Sequence, residues 1–177
     1  VCLLDIGGGT VGMVIFQEGI LLHTEILPFG SEAITADIKQ GCSVMESQAA
    51  LLKTKFGKAI AEEAEAHALI TIPGLRSRSA KEISVRNLAH IIEARMGEII
   101  ELIHTKVITA GFQGKLAAGI VITGGGAQLQ HVQQLVEYVT GMDTRIGYPD
   151  EHLGLNNSTA LRDTHYATSV GLVLAGF

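Results

Sequence analysis

The chain has 177 residues, 47% of them hydrophobic, with a formal net charge of −5. That length supports one compact domain with a real core, and the acidic balance argues against a nucleic-acid binder. Two cysteines without metal spacing, seven scattered histidines and short, glycine-broken apolar runs predict a reduced cytoplasmic protein with no structural metal site, signal peptide or membrane span.

The chain opens on an apolar run that reads as a buried strand over residues 1–6 and ends in Asp5-Ile6-Gly7-Gly8-Gly9-Thr10. Glycine lets a backbone approach a phosphate and aim its N–H groups at it, Asp5 is placed to position a metal-bound water, and Thr10 supplies a hydroxyl. A strand-end Asp also caps turn amides, so this residue has a purely local reading as well. Gly7, Gly9 and Gly12 formally satisfy Gly-x-Gly-x-x-Gly, but that dinucleotide fingerprint must open a helix. Here residues 11–16, a Gln17-Glu18-Gly19 turn and residues 20–27 read instead as strand, turn and strand. No Gly-Lys-Ser/Thr follows, so a P-loop is excluded too.

A helix is expected over 31–40, stopped by Gly41, and Ser43-x-x-Glu46 reads as a capping box for a second helix ending near Gly57. Glu62, Glu63 and Glu65 form a solvated acidic face. A strand over 67–72 ends at Pro73-Gly74, a basic loop carries Arg76, Arg78 and Lys81, and a short strand is expected over 82–85. Residues 86–110 hold the longest helical pattern, with Leu88, Ile92, Met96, Ile99, Ile103 and Val107 on one face. A strand over 118–123 then meets a second triple glycine, Gly124-Gly125-Gly126, and Leu129, Val132, Leu135, Val136 and Val139 follow at helical spacing. Strand, glycines and helix N-terminus make a natural seat for the sugar or phosphate of a nucleotide. A strand over 144–147, a loop rich in Asn and Ser, and a helix around Tyr166, Val170 and Leu174 close the chain. Hairpins first and βαβ later predict an α/β fold, a mixed sheet flanked by helices.

Two triple-glycine loops, each leaving an apolar strand, are hard to explain as turns alone. Asp5-Ile-Gly-Gly-Gly-Thr10 and Ile122-Thr-Gly-Gly-Gly-Ala-Gln-Leu129 resemble the second phosphate motif and the adenosine motif of the actin-like ATPase superfamily. Residues 23–30 (His-Thr-Glu-Ile-Leu-Pro-Phe-Gly), 34–38, 53–57, 88–98 and 166–172 are similar to the FtsA family of bacterial cell-division proteins. The resemblance implies an actin-like (ribonuclease H-like) half, with 1–30 plus 86–177 as a larger subdomain carrying both glycine loops and 31–85 as a smaller inserted one. It implies a second, C-terminal half of a longer protein. That parent would bind ATP with Mg²⁺, polymerise like actin and tie the FtsZ tail to the inner face of the membrane at midcell, through a C-terminal helix this chain lacks. Other actin-like halves, from kinases, chaperones or pilus-assembly adaptors, share the glycine loops and are the alternative.

By the same resemblance, Asp5 organises the metal shell and Gly7, Gly8, Gly9, Thr10, Lys53, Gly124, Gly125 and Gly126 bind nucleotide. Lys53 reads equally well as a solvated helix lysine. Two positions depart from the family pattern: Gly12 stands where relatives usually carry Asp, and Ala50 where they often carry a ribose-binding Glu. Both changes point to binding more than to hydrolysis. The expected FtsZ-tail site is Arg86, Asn87, Leu88, Arg95 and Glu98, with the basic loop as its rim. Arg86 and Arg95 fall on opposite sides of a continuous helix, while Arg95 and Glu98 are i, i+3 neighbours. Those two could equally pair with each other on an exposed face.

Overall fold

A computed structural model describes residues 1–73, 79–149 and 162–176. Its centre is a five-stranded sheet in the order β3-β2-β1-β6-β7, formed by β1 (Cys2–Ile6), β2 (Val11–Gln17), β3 (Ile20–Leu27), β6 (Ile120–Thr123) and β7 (Thr144–Ile146). β1, β2 and β3 form an antiparallel meander, and β1–β6 and β6–β7 pair in parallel. The sheet is therefore mixed, as the pattern predicts, and the first glycine loop is a hairpin tip rather than a helix start. β6 is buried at all four positions, which is why it reads as an unbroken apolar run rather than an alternating one.

Alternation sets which sheet face is dry. Cys2, Leu4 and Ile6 of β1 and Val11, Met13 and Ile15 of β2 are buried. They share one core with α3 (Val85–Thr109), where Leu88, Ile92, Met96, Ile99, Ile103 and Val107 trace the stripe expected of them, and with Val132, Leu135 and Val136 of α4 (Val132–Thr140). The opposite face carries Leu3, Asp5, Val14 and Phe16, which are half-buried. Burial also pushes the Cys2 thiol up to about 11, which suits an inert packing residue.

Between β3 and α3 lie α1 (Glu32–Gly41), α2 (Glu46–Phe56) and a two-stranded hairpin of β4 (Leu69–Ile72) and β5 (Lys81–Ser84). Ile34, Ile38, Leu52, Ile72 and Ile83 from these elements join the main core. The start of α2 corrects one expectation. Its flanking residue is Met45, whose N–H donates to the Gln48 Oε1 at 3.1 Å, while Ser43 lies outside the helix at φ 48. The capping signal was displaced by two residues because Ser43 is spent on the left-handed turn that follows α1. α3 starts as its sequence suggests, with the Ser84 hydroxyl accepting the Asn87 N–H. Arg76, Arg78 and the Asn- and Ser-rich loop lie outside the described residues.

The second glycine loop also differs from expectation. It leads into a single 3-10 turn (Gly125–Gln128), not directly into a helix. Leu129 and Gln130 stay extended because Gln130 pairs with the chain after α2: Ala59 N–H donates to the Gln130 carbonyl at 2.8 Å. α4 then begins at Val132, after His131 in the left-handed region. The last helix, α5 (Ala167–Ala175), follows a turn at Thr164–Tyr166. Among the described residues no helix is long and apolar enough to cross a membrane.

Ile92 sits wholly inside the α3 stripe, touching the core that joins helices to sheet. Ile92→Ala is expected to cost about 2–5 kcal/mol of unfolding free energy. Urea denaturation followed by circular dichroism reads this, and a loss well under that range would show that the α3 stripe does not carry the core.

Candidate functional site

Parallel pairing of β1 with β6 places the ends of both strands, and so both glycine loops, at one edge of the sheet. The contact between them is tight. A Cβ on Gly124 would run into the Asp5 carboxylate and lie 2.7 Å from the Ile6 carbonyl oxygen, and Gly124 itself has φ +84. A Cβ on Gly126 would strike Ile6. These two glycines are demanded by the fold.

The first loop closes with Gly7 N–H donating to the Thr10 carbonyl at 3.0 Å. It rests on the start of α1, where Ser31 and Glu32 N–H groups donate to the Gly7 and Gly8 carbonyls at 2.9 Å. Gly30 makes this approach possible, because a Cβ there would sit 2.5 Å from the Gly8 oxygen and 2.6 Å from the Gly7 oxygen. With the carbonyls turned toward α1, the N–H groups of Gly8, Gly9 and Thr10 make no backbone hydrogen bond among the described residues. All three residues are exposed.

Lys53 reaches back to the same corner. Its Nζ donates to the Ser31 carbonyl at 2.8 Å, which links α2 to the loop through Ser31. Burial lowers the Lys53 pKa and the nearby Glu32 carboxylate opposes that shift. Lys53, Ser31, Gly57, Gly125, Gly126 and Gln128 line one small cavity of about 80 Å³. Ligand pockets usually enclose ~300–1,000 Å³. The structure thus brings Lys53 to the second loop and Asp5 to Gly124, and joins both through Ser31 and α1.

Asp5 is half-buried, and its Oδ2 accepts the Thr168 hydroxyl at 2.6 Å. Gly12 is its register partner on β2, with the site of a Cβ 3.9 Å from the Asp5 Cβ. An acid at position 12 would stand beside Asp5. Ala50 lies on α2 one turn before Lys53. Sequence reasoning missed Ser31, Gly30, Gln128, Thr164 and Thr168. Gly30 alone carried a local signal, a glycine just ahead of a helix; the others matter only through contacts distant in sequence.

The residues expected to meet a partner lie along α3. Arg95 is fully engaged: Nε donates to Asp37 Oδ2 at 2.5 Å, Nη2 to Asp37 Oδ1 at 3.2 Å, and Nη1 to Glu98 Oε2 at 2.6 Å. The bond to Asp37, then its charge and that of Glu98, hold the guanidinium pKa above its usual value. Arg95 therefore clasps α3 to α1 as well as pairing with Glu98. Asn87 is exposed and Arg86 half-buried. Leu88 corrects an expectation: it is 0% exposed, packed in the core, and so cannot open a groove to a partner.

A family model described as "Cell division protein FtsA" matches residues 2–171. The chain belongs to the FtsA family. The cell division protein FtsA of Pseudomonas aeruginosa is 34% identical over 176 residues, covering 99% of this chain and 42% of that protein. The chain spans about two-fifths of the length of the curated relatives it matches. The crystal structure of MreB5 of Spiroplasma citri bound to ADP superposes with a TM-score of 0.74 at 17% identity, over 98% of this chain and 52% of that one. The MamK double helical filament gives 0.67 at 15%, over 100% of this chain and 54% of that one. The fold is thus the α/β, actin-like one.

The two loops hold glycines of two kinds, and a pair of substitutions separates them. Gly124→Ala is expected to destabilise the chain by at least about 1–3 kcal/mol, from left-handed strain alone. Gly125 has ordinary φ and nothing within 4 Å of a Cβ, so Gly125→Ala should stay within about 0.5 kcal/mol. Thermal melts of both variants decide it; equal losses would refute the distinction.

Proposed function

We propose that this chain is the nucleotide-holding second half of an FtsA-type cell-division adaptor, a protein that binds ATP with Mg²⁺, self-associates as actin-like proteins do and docks the tail of FtsZ. The observation that carries the nucleotide part is Gly9 together with Gly125. Each loop has one exposed glycine that neither its backbone angle nor any neighbour requires, since a Cβ at either would meet nothing within 4 Å. That open space leaves room for a ligand to approach the backbone, and N–H groups beside Gly9 without backbone acceptors suit a phosphate. Lys53 supplies the cation at the adjoining cavity. ADP in the related MreB5 structure and the filament formed by MamK support nucleotide binding and self-association in this fold.

In this reading 1–30 with 86–177 form the larger subdomain and 31–85 the smaller one. The five-stranded sheet is drawn wholly from the first set, and the β4–β5 hairpin from the second. The small cavity provides only one wall for a nucleotide. Calorimetry should therefore find no micromolar affinity of this chain for MgATP, while NMR at millimolar nucleotide should show shifts concentrated at residues 7–10, 53 and 124–126. A micromolar Kd, or shifts concentrated elsewhere, would overturn the reading of one incomplete site.

For the FtsZ tail, which has acidic and apolar character, Arg95, Glu98, Asn87 and Arg86 remain the proposed contact set, without Leu88. The Asp37 clasp makes a sharper test available. Arg95→Ala should weaken binding of a tail peptide at least about tenfold, or 1.4 kcal/mol. Asp37→Ala breaks the same clasp but leaves the cation, and should preserve binding. Fluorescence anisotropy with a labelled peptide distinguishes them; equal loss in both would mean that Arg95 acts only by holding α3 to α1.

A further inference from the structure

The edge of the sheet that carries both glycine loops also carries a polar connection that the nucleotide reading leaves unused. Thr164 is 2% exposed and bonds the second loop in both directions. Its Oγ1 donates to the Gly124 carbonyl at 2.8 Å, and the Gly124 N–H donates to the Thr164 carbonyl at 3.1 Å. The same Thr164 carbonyl accepts the Thr123 hydroxyl at 3.2 Å. Four residues on, in the first turn of α5, the Thr168 hydroxyl donates to Asp5 Oδ2 at 2.6 Å. The other carboxylate oxygen, Oδ1, faces Gly124. One short segment therefore grips the backbone of the second loop and the carboxylate of the first.

The character of α5 argues that these bonds set position rather than fill space. The helix is apolar nearly all round, yet none of its described residues is buried, and Leu172, Val173 and Leu174 are 70%, 59% and 45% exposed. Packing alone does not fix its register against the sheet. A hydroxyl donating to a carboxylate is among the stronger hydrogen bonds, and its short length fits that class. With Oδ2 held by Thr168 and Oδ1 against Gly124, the Asp5 carboxylate has no free rotation.

We propose that Thr164 and Thr168 are positioning residues that couple the two glycine loops, holding the Asp5 carboxylate and the Gly124–Gly126 backbone as one unit with the start of α5. The functional meaning rests on the nucleotide reading of these loops. For that site it names the device that sets the geometry between the two walls, and it makes α5 the element whose displacement reaches both at once.

The test uses the 177-residue chain and amide hydrogen exchange by NMR, without ligand. Thr168 is exposed, so Thr168→Val keeps the fold and is the primary variant. It should speed exchange at the bonded amides of Gly124 and Ala127 as well as at that of Gly7, by about fivefold or more, since local opening follows the bonds that are lost. Thr168→Ser, which keeps the hydroxyl, should restore both loops. Thr164→Ser should likewise leave both loops protected. Changes confined to the first loop and α5, or a Thr168→Ser variant that behaves like Thr168→Val, would overturn the coupling. A parallel titration with millimolar MgADP separates the two readings. Weaker shifts in Thr168→Val, recovered in Thr168→Ser, support both. Shifts unchanged by Thr168→Val overturn the positioning role. No shift at either loop in the unaltered chain sinks the nucleotide reading, and the coupling is then decided by the ligand-free exchange.

Discussion

The contact between Gly124 and the end of β1 is the constraint on which this edge of the molecule depends. Parallel pairing of β1 and β6 delivers two chain exits side by side, about one strand spacing apart. The second loop then passes so close to the end of β1 that a side chain at position 124 would meet Asp5 and Ile6. Gly124 meets this need with both its bare Cα and its positive φ, and Gly126 meets it against Ile6. Once the exits are this close, Asp5 is fixed beside the second loop. Gly30 repeats the same solution on the other side, letting α1 press its first amides onto the carbonyls of Gly7 and Gly8. The fold therefore engages the carbonyls of Gly7, Gly8 and Thr10 and leaves the amides of Gly8, Gly9 and Thr10 without backbone acceptors among the described residues. That polarity is what an anion requires.

Strand positions, the mixed sheet, the α3 stripe and both loop locations were legible in the sequence, because each follows from local periodicity or from glycine placement. What was not legible depended on contacts across the chain. Ser43 looked like a cap, but the left-handed turn after α1 claimed it and moved the cap to Met45 and Gln48. The helix after the second loop starts later than its apolar spacing suggests, because Gln130 is held extended by the strand-like segment at Lys58. Leu88 has the spacing of the core stripe and is buried with it, so its periodicity outweighs the resemblance that places it at a partner surface. Thr164 and Thr168 gave no signal at all. A threonine before or inside a helix is unremarkable until the residue 40 or 163 positions away is known.

Arg95 shows how one side chain can belong to two arguments. Its fork meets Asp37 with two nitrogens and Glu98 with a third, an arrangement that a lysine could not reproduce. The clasp is only partly shielded, with Arg95 at 36% and Asp37 at 30% side-chain exposure, so its worth in stability is modest. Partial exposure is also what an incoming acidic peptide would need, since it must compete with Asp37 for the same donors. A fully buried clasp would be structural alone, and a free arginine would have to be ordered on binding. The observed state lies between these, with the guanidinium already oriented and still reachable.

The chemistry of the proposed site follows from what stands next to Asp5. Its register partner is Gly12, so no second carboxylate stands opposite it on β2, and one of its own oxygens is taken by Thr168. A lone carboxylate can orient water around a metal ion, but activating that water asks for a base, and neither Gly12 nor Ala50 supplies one. Lys53 is held by Ser31 and lines the cavity beside the second loop. In the proposed reading, these residues are contacts that would hold a nucleotide. In the proposed adaptor, a nucleotide that joined two walls would shift shape and assembly through its differential affinity for closed and open states, with no bond in it broken.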